Sequence, residues 1–365
     1  MLKNMAKILL VGSGITGAAT AAYLRMQLPE RTSIHIWDKA RGAGGRMSTT
    51  RCPEDGSITV DLGAQYFTLT KEYEQRRRGV YNELLECGVL AKLVGEIEGS
   101  DLNQPGSQHF VTPQGSSSLV KFYLDQANAT IKYQEPVSEI SFDETGEKVE
   151  VSTPMRFENF DAVILTIPVP QVLQLKGLLP TLIDNLPDVK KKLQNVSYSS
   201  RYALGLFFPP KTQLNYSWCA KYISDNPCLR YIAIDQNKRG VNKADQGMSI
   251  VLHTSVPFGL AHLEEDLNSV TDEILGHARN ILPQLPKPIS IKPQRWRYSQ
   301  VHQPYEDQPG CVIIHTNPLI ILAGDGFTTS TFDGCLDSAH AAVAAVRHNL
   351  SAHFIDNTPD FPGNN

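Results

Sequence analysis

The sequence lacks the cysteine spacings that mark zinc sites and redox dithiols. Its six cysteines are scattered over 365 residues, and no two of them form a Cys-x-x-Cys pair. This excludes the common zinc and dithiol patterns, so no metal site is predicted. Scattered cysteines favour reduced thiols, as in a cytoplasmic protein.

Long apolar runs and an excess of basic residues are missing as well. No stretch is long enough, and free enough of glycine and polar residues, to predict a membrane span. The chain carries 34 basic and 38 acidic residues, a net charge of −4, which argues against nucleic-acid binding or a basic membrane-binding surface. With 41% hydrophobic and 20% charged residues, the composition is typical of a globular protein. Its 365 residues predict two domains or one large intertwined unit.

The most informative stretch predicts a nucleotide-binding turn near the N-terminus. The apolar run Lys7–Val11 predicts a strand, and three spaced glycines and an alanine-rich helix follow it. Gly12 allows a tight turn, Gly14 leaves room for a pyrophosphate, and Gly17 lets the helix pack on the strand. A second predicted strand ends at Asp38, 21 residues after Gly17, where an acid can accept hydrogen bonds from a ribose diol.

The same N-terminal stretch also indicates the cellular compartment of the protein. Lys3 and Lys7 precede apolar residues, as they would in a secretory signal. Cleavage of such a signal would remove the residues from Gly12 to Gly17, which nucleotide binding requires. We therefore expect that the N-terminus is retained and that the protein is cytoplasmic.

A second glycine turn indicates which nucleotide is bound. Gly44, Gly45 and Arg46 follow Asp38 after a short spacer, and Asp61–Tyr66 comes next. NAD dehydrogenases have no use for this turn, whereas flavoproteins of the amine-oxidase and glutathione-reductase type wrap it around the far side of the FAD pyrophosphate. A guanidinium at this position suits phosphate oxyanions. The turn therefore predicts FAD.

The other end of the chain carries a third motif of this kind. Leu319–Ala323 predicts a buried strand, Gly324 and Asp325 follow it, and an alanine-rich helix begins near Phe332. In flavoproteins of this type the aspartate meets the ribityl or phosphate region. The helix N-terminus points at the flavin ring, where negative charge develops on reduction.

Taken together, these motifs resemble the renalase family. The resemblance extends from Val11 to about Leu350. Its specific stretches are Trp37–Lys39, Gly44–Met47, Asp61–Tyr66, Leu165–Pro170, Val196–Phe207, Val256–Gly259 and Gly324–Phe327.

The resemblance implies a fold, a cofactor and a reaction. The fold is α/β, with a Rossmann-type FAD-binding domain similar to p-hydroxybenzoate hydroxylase and the amine oxidases, and a second α+β domain built on a mostly antiparallel sheet. FAD is bound non-covalently. The family oxidises 2- and 6-dihydro isomers of NAD(P) by hydride transfer to flavin N5 and releases β-NAD(P)⁺, and O₂ reoxidises the flavin to give H₂O₂. The implied role is metabolite repair, and the family is also described as secreted.

Domain boundaries and cofactor contacts follow from the motifs and the resemblance. We predict an FAD-binding domain from 1–72, 109–175 and 310–350, a substrate domain from 73–108 and 176–309, and a flexible tail over 351–365. Family similarity places FAD contacts on Thr16, Arg46, Gln65 and Tyr66. The full set of predicted cofactor-binding residues is Gly12, Gly14, Thr16, Gly17, Asp38, Arg46, Gln65, Tyr66, Val137, Gly324 and Asp325.

Predicted strands of the second domain supply candidate substrate contacts. The arginines can meet substrate phosphates, the aromatic rings can flank the nicotinamide, and the remaining two side chains can bond its carboxamide. For each of them an ordinary packing or surface role stays open. The candidates are Arg201, Tyr202, His253, Thr254, Trp296 and Arg297. No acid–base residue is predicted, because a dihydronicotinamide is already a hydride donor and needs position rather than proton transfer.

Two other functions stay open at this point. A catecholamine or monoamine oxidase would use the same FAD frame, but with an apolar tunnel and an aromatic pair facing the flavin. A nicotinamide nucleotide needs a wider, cationic pocket. The third possibility is a secreted signalling protein whose flavin is incidental. The predicted partners are dihydro-NAD(P) isomers and O₂, with no nucleic acid and no membrane, and a monomer is favoured.

Overall fold

The computed structural model of the chain describes residues 6–100, 106–240 and 246–354. Two sheets of six strands each organise these residues, with helices and smaller sheets packed against them. Short 3₁₀ turns occur at Gly45–Met47 and Asp325–Phe327, both within predicted cofactor motifs.

The part of the chain that the structure describes contains ten helices. They are α1 (Ile15–Gln27), α2 (Lys71–Glu86), α3 (Ser117–Ala127), α4 (Val169–Val172), α5 (Leu179–Asp184), α6 (Pro187–Asn195), α7 (Asp235–Arg239), α8 (Val256–Ala261), α9 (Leu267–Ile281) and α10 (Phe332–Phe354).

The strands are mostly short. They are β1 (Lys7–Val11), β2 (Ser33–Asp38), β3 (Thr49–Arg51), β4 (Thr59–Asp61), β5 (Phe67–Leu69), β6 (Ala91–Lys92), β7 (Glu96–Glu98), β8 (Gln108–Val111), β9 (Thr130–Tyr133), β10 (Glu139–Phe142), β11 (Val149–Ser152), β12 (Phe157–Phe160), β13 (Ala162–Leu165), β14 (Lys176–Gly177), β15 (Ser197–Tyr198), β16 (Arg201–Phe208), β17 (Trp218–Tyr222), β18 (Leu229–Ile234), β19 (Met248–Thr254), β20 (Ser290–Trp296), β21 (Val301–Gln303), β22 (Cys311–Thr316) and β23 (Leu319–Ala323).

The first sheet is parallel apart from one edge strand. Its order is β22–β23–β13–β1–β2–β9, and only β22 runs antiparallel to its neighbour. The apolar run in β1 is buried on both faces, as a central parallel strand requires. Val11 pairs with Leu165, and Leu165 pairs with Leu322, so β1, β13 and β23 end at one edge. The glycine turns after β1 and β23 therefore meet there, where open α/β sheets bind ligands.

The second sheet is antiparallel apart from β7. Its order is β20–β16–β19–β18–β17–β7. On one face, helices α8 and α9 cover a cluster that includes Leu204 and Ile274. On the other face, Val60 and Leu62 pack against Ala203 and Val251. That second face therefore meets the segment leading into the predicted cofactor motif at 61–66. The predicted fold class is confirmed.

Among the strands of five residues or more, β17 and β22 were not predicted. Most strands of two to four residues, including β7 and β8, were not predicted either. β20 runs without a break from Ser290 to Trp296, although Pro293 lies within it. Pro293 interrupts the apolar pattern there, but β20 lies at the edge of its sheet, where a residue without an N–H is tolerated.

The chain's last helix crosses a predicted boundary. α10 continues to Phe354, four residues into the predicted tail, and the rest of that tail lies outside the described residues. The division into two discontinuous domains stays a prediction. No helix within the described ranges is long and apolar enough to span a membrane.

Candidate functional site

Packing fixes two of the glycines in the first turn and leaves the third open. Gly12 has φ +110°, and a Cβ there would lie 2.9 Å from Thr166 Oγ1. A Cβ on Gly17 would lie 2.1 Å from the Gly12 carbonyl oxygen, so only glycine fits between helix and strand. A Cβ on Gly14 would meet no atom within 4 Å. Open space therefore lies in front of the first turn of α1.

The N-terminus of α1 has unused hydrogen-bonding capacity. Gly14 is its N-cap and has no side chain to accept from the first-turn amides. Thr16 is buried in that first turn. An uncapped helix N-terminus beside open space suits an anion, because free N–H groups and the helix dipole both favour negative charge.

Asp38 holds the first turn in place. Its Oδ2 accepts hydrogen bonds from Ser13 N and Ser13 Oγ, each at 2.7 Å. Its backbone oxygen accepts from Glu135 N at 2.9 Å, which brings the segment with partly buried Val137 next to β2. The structure thus gives Asp38 a supporting contact that we did not predict, and its contact with a ribose stays a prediction.

The second glycine turn lies directly against the first. Gly44 N donates to Ser13 O at 3.0 Å, and a Cβ on Gly45 would lie 3.7 Å from Gly14 Cα. Gly44 and Gly45 both have positive φ, at +126° and +54°, which suits glycine at this tight turn.

Arg46 connects the second glycine turn to the C-terminal motif at Asp325. Its guanidinium contacts Asp325 in a bidentate pair, with N–O distances of 2.5 and 2.8 Å. Burial alone would lower the pKa of Arg46, but the Asp325 carboxylate raises it above its ordinary value. Ser330 Oγ also donates to Asp325. Sequence analysis predicted separate cofactor contacts for Arg46 and Asp325, and it missed this direct pair.

The turn at 61–66 connects the cofactor motifs to the second sheet. A Cβ on Gly63 would lie 1.9 Å from Arg46 O, and Ala64 N donates to that oxygen at 3.0 Å. The carbonyl oxygen of Leu62 accepts from His253 Nε2 at 3.0 Å and Trp296 Nε1 at 2.8 Å. Two of the predicted substrate residues therefore lie beside this turn.

Strand alternation separates the other substrate candidates from the site. They were predicted as three adjacent pairs, and adjacent residues of a strand point to opposite faces. Tyr202 is fully buried on the helix-covered face, and its hydroxyl donates to His262 O at 2.7 Å. Thr254 is also fully buried, and its Oγ1 accepts from Tyr202 N at 2.9 Å. Neither side chain therefore reaches the face that meets the 61–66 turn.

Arg297 also points away from the site. It lies just past the end of β20, where its guanidinium makes a bidentate, exposed pair with Glu264 at 2.7 and 2.9 Å. The preceding residue, Trp296, faces the 61–66 turn instead. Arg297 therefore lies away from the face on which Arg201, His253 and Trp296 meet the 61–66 turn.

Arg201 faces the site and lacks an acidic partner. It pairs across the sheet with Trp296. Its Nε is buried without a hydrogen bond, and no ion pair to it occurs among residues 6–100, 106–240 and 246–354. Burial lowers its pKa, Tyr222 opposes that shift, and the nearby cation of Arg230 adds to it. A half-buried cation without a partner is costly unless an anion joins it.

Tyrosines complete this face, and two of them escaped sequence analysis. The hydroxyls of Tyr66 and Tyr222 lie 2.8 Å apart, and the Tyr222 and Tyr231 rings meet edge to face at 5.0 Å. Burial raises the pKa of Tyr66, so its hydroxyl keeps its proton. Tyr222 and Tyr231 are paired across β17 and β18. Because β17 was not predicted, the sequence analysis could not place the two rings on one face.

His253 is neutral. Burial lowers its pKa to about 3, with a further contribution from the Arg201 cation. Because Leu62 O can only accept, the neutral ring carries its proton on Nε2. The other ring nitrogen is then an acceptor.

The residues at the glycine turns suit a dinucleotide. A Cβ on Gly324 would have the Thr166 backbone as its nearest contact, at 3.8 Å, so this glycine is open in the same way as Gly14. Gly12 and Gly324 both lie beside Thr166, so the first and last glycine turns share one edge of the first sheet. Backbone N–H groups with a nearby arginine form a donor set suited to a pyrophosphate. The residues present therefore fit FAD.

Comparisons with known proteins agree with this geometry. Residues 70–347 match the family model for flavin containing amine oxidoreductases, and residues 10–84 match that for an NAD(P)-binding Rossmann-like domain. The chain is 39% identical to mouse (Mus musculus) renalase over 344 residues, which cover 94% of this chain and 99% of the relative.

Two solved structures share the fold. One is described as a protoporphyrinogen oxidase from an Exiguobacterium species, with TM-score 0.70 and 14% identity, covering 94% of this chain and all of that one. The other is a putrescine oxidase bound to putrescine, with TM-score 0.67 and 10% identity, covering 94% of this chain and 99% of that one. The chain therefore belongs to the renalase family of flavin-containing amine oxidoreductases, as an oxidoreductase that uses FAD.

Proposed function

We propose that this protein oxidises 2- and 6-dihydro isomers of NAD(P) to β-NAD(P)⁺, with O₂ as the final acceptor and H₂O₂ as the second product. The observation that carries the proposal is Arg201. It is a half-buried cation on the sheet face that meets the 61–66 turn, and it has no acidic partner within the described part of the chain. A substrate that brings phosphate groups would supply the missing charge.

The same cation argues against an amine as the main substrate. An amine reaches the site largely as an ammonium ion, and like charges repel strongly where water is excluded. The paired tyrosines Tyr66 and Tyr222 do resemble the aromatic pair that an amine oxidase needs. The charges of Arg201 and the nearby Arg230 favour an anionic ligand, which supports the nucleotide over the amine.

The chain's own residues are proposed to hold the substrate rather than to move protons. Trp296 and His253 are fixed by their shared acceptor, Leu62 O, so both rings are positioned before the substrate arrives. The acceptor nitrogen of neutral His253 can receive a hydrogen bond from the carboxamide N–H group. FAD, when bound, supplies the hydride acceptor. The catalytic contribution of the protein is then orientation and exclusion of water.

The cofactor contacts are proposed on the residues around the two glycine turns. We assign the pyrophosphate to the α1 N-terminus at Gly14–Gly17 with Arg46 nearby, because this is where free amide donors and open space coincide. Gln65 and Tyr66 would contact the flavin end, since they lie between the turns and the second sheet.

Anaerobic rapid mixing tests the substrate directly. The purified holoenzyme is mixed in turn with a 2- or 6-dihydro-NAD(P) isomer, with ordinary 4-dihydro-NADH and with a catecholamine, and loss of the flavin's visible absorption is followed. We expect fast bleaching with the isomers alone. Rapid bleaching by the amine would overturn the proposal in favour of an amine oxidase.

Admission of air after bleaching tests the second half-reaction. The flavin colour is expected to return together with one H₂O₂ for each isomer consumed, measured with a peroxidase-coupled dye. A flavin that stays reduced in air would contradict the proposal that O₂ is the acceptor.

A cytoplasmic location stays a prediction. All six cysteines are free and four of them are buried, as suits a reducing compartment. Subcellular fractionation with an antibody against the chain would test it.

A further inference from the structure

A buried set of charged side chains joins the short helix α7 to the 61–66 turn. Asp235, Lys238 and Arg239 come from α7, and Asp61 and Gln65 come from the turn. Lys238 and Asp235 are each 1% exposed. We call these five residues the α7 cluster. Of these five, only Gln65 is among the predicted cofactor-binding residues.

Lys238 fixes the orientation of the Gln65 amide. Its ammonium lies 2.7 Å from Asp235 Oδ1 and 2.8 Å from Gln65 Oε1. The amide nitrogen of Gln65 donates to Asp61 O at 2.6 Å and to Gly63 O at 3.0 Å. A reversed amide would set its N–H group against the ammonium and its oxygen against two carbonyls. Only one orientation satisfies all partners.

Arg239 holds the start of the same turn. Its guanidinium lies 2.8 Å from Asp61 Oδ2 and 2.5 Å from Asp235 Oδ2. Asp61 Oδ1 in turn accepts from Ser116 N at 2.9 Å. The turn is therefore attached to α7 at both ends, through Asp61 and through Gln65.

The charges of the α7 cluster balance, and the cluster is better suited to fix the geometry of the turn than to stabilise the fold. Two carboxylates face two cations, so the buried group is neutral. Such networks pay a large desolvation penalty, and apolar side chains of similar volume often stabilise a protein as well or better. What an ionic network supplies in addition is a single, direction-dependent arrangement of its partners.

We propose that Lys238 is a positioning residue for the flavin site. It holds the Gln65 amide in one orientation, and with it the adjacent Tyr66, whose hydroxyl meets Tyr222 at 2.8 Å. Through this contact the second sheet sets the shape of the flavin end of the cofactor site. The proposal requires FAD at this turn and does not depend on which substrate is oxidised.

Lys238→Met and Gln65→Leu, singly and combined, test the proposal. Each single variant is expected to weaken FAD binding by about tenfold, because each leaves a buried polar partner unsatisfied. Each should also shift the visible absorption band of bound FAD in the same direction. The double variant should lose little more than either single variant, since both changes break one contact. FAD affinity is measured by fluorescence titration of the apoprotein.

Lys148→Met is the matched control. The Lys148 ammonium lies 3.0 Å from Asp161 Oδ1, and this pair is remote from the 61–66 turn. It should leave FAD affinity and spectrum unchanged. Wild-type affinity and spectrum in Lys238→Met, or effects that simply add in the double variant, would overturn the proposal. If Lys238→Met does not fold, Gln65→Leu decides alone, since it keeps the Lys238–Asp235 pair. A wild-type flavin spectrum and affinity in that variant would also overturn it.

Discussion

At the scale of single residues, the substrate candidates were adjacent in the sequence, and adjacent residues of a strand point to opposite faces of the sheet. Arg201 and Tyr202 are neighbours in the sequence, yet one faces the 61–66 turn and the other is buried under α8. Their residue types suit a nucleotide equally well. Side-chain chemistry therefore selected both residues of each pair, and only the sheet's orientation against β4 decides which of the two faces the 61–66 turn.

Arg201→Met is expected to raise KM for the dihydro isomers by about tenfold or more, because it removes a charge-assisted contact with phosphate. The turnover number should change little, since the phosphates lie away from the reacting carbon. Steady-state kinetics by oxygen uptake measure both values.

Arg297→Met is the matched control for this prediction. Its guanidinium is exposed and paired with Glu264, and exposed pairs contribute little. The control should keep wild-type kinetics. Equal losses in the two variants would show that Arg201 has no special contact with the substrate.

At the scale of elements, the cofactor site consists of turns at strand ends. The burial of β1 and β23 on both faces was readable from apolar runs, and the glycines that follow them marked the turns. β7 and β17 were missed because both are short and lie at or next to an edge, where alternation is weak. Their absence from the prediction hid Tyr222, the partner of Tyr66.

Gly63→Ala tests how tightly two of these turns fit together. The new methyl group would lie 1.9 Å from Arg46 O, a backbone atom that cannot move without displacing the second glycine turn. We expect a loss of about 1–3 kcal/mol in the free energy of unfolding, the usual cost of overpacking. FAD affinity should fall with it, because Arg46 moves. Chemical denaturation and FAD titration measure the two effects.

Gly42→Ala provides the comparison within the same region. A Cβ on Gly42 would meet no atom within 4 Å, and its φ is not positive. Stability should therefore stay within about 0.5 kcal/mol of the wild type. An equal loss in both variants would mean that the close approach at Gly63 has no special consequence.

At the scale of the whole molecule, the two ends of the chain meet at one site. Sequence motifs predicted that meeting, because the N-terminal and C-terminal glycine turns are each recognisable alone. The contacts that join them were not predictable. Arg46 and Asp325 lie 279 positions apart, and Lys238 and Gln65 lie 173 apart. No local pattern encodes such pairs, which exist only once both sheets are in place.

This arrangement predicts that FAD is held by the folded chain and not by a covalent bond. Cys335 lies near Arg46 and Asp325, but burial raises its pKa to about 12, so it stays a thiol and is a poor nucleophile. Unfolding separates the N-terminal glycine turns from the C-terminal one. Denaturation should therefore release all the flavin into the supernatant as free FAD.

Added FAD should also stabilise the protein, by about 2.7 kcal/mol at a free concentration one hundred times its dissociation constant. Thermal unfolding of the apoprotein with increasing FAD measures this. Gly14→Trp is the matched variant, because an indole would fill the open space before α1 and FAD should then have no effect on its melting temperature. Flavin that precipitates with the denatured chain, or equal stabilisation of both proteins, would show that the cofactor is not held between these turns by non-covalent contacts alone.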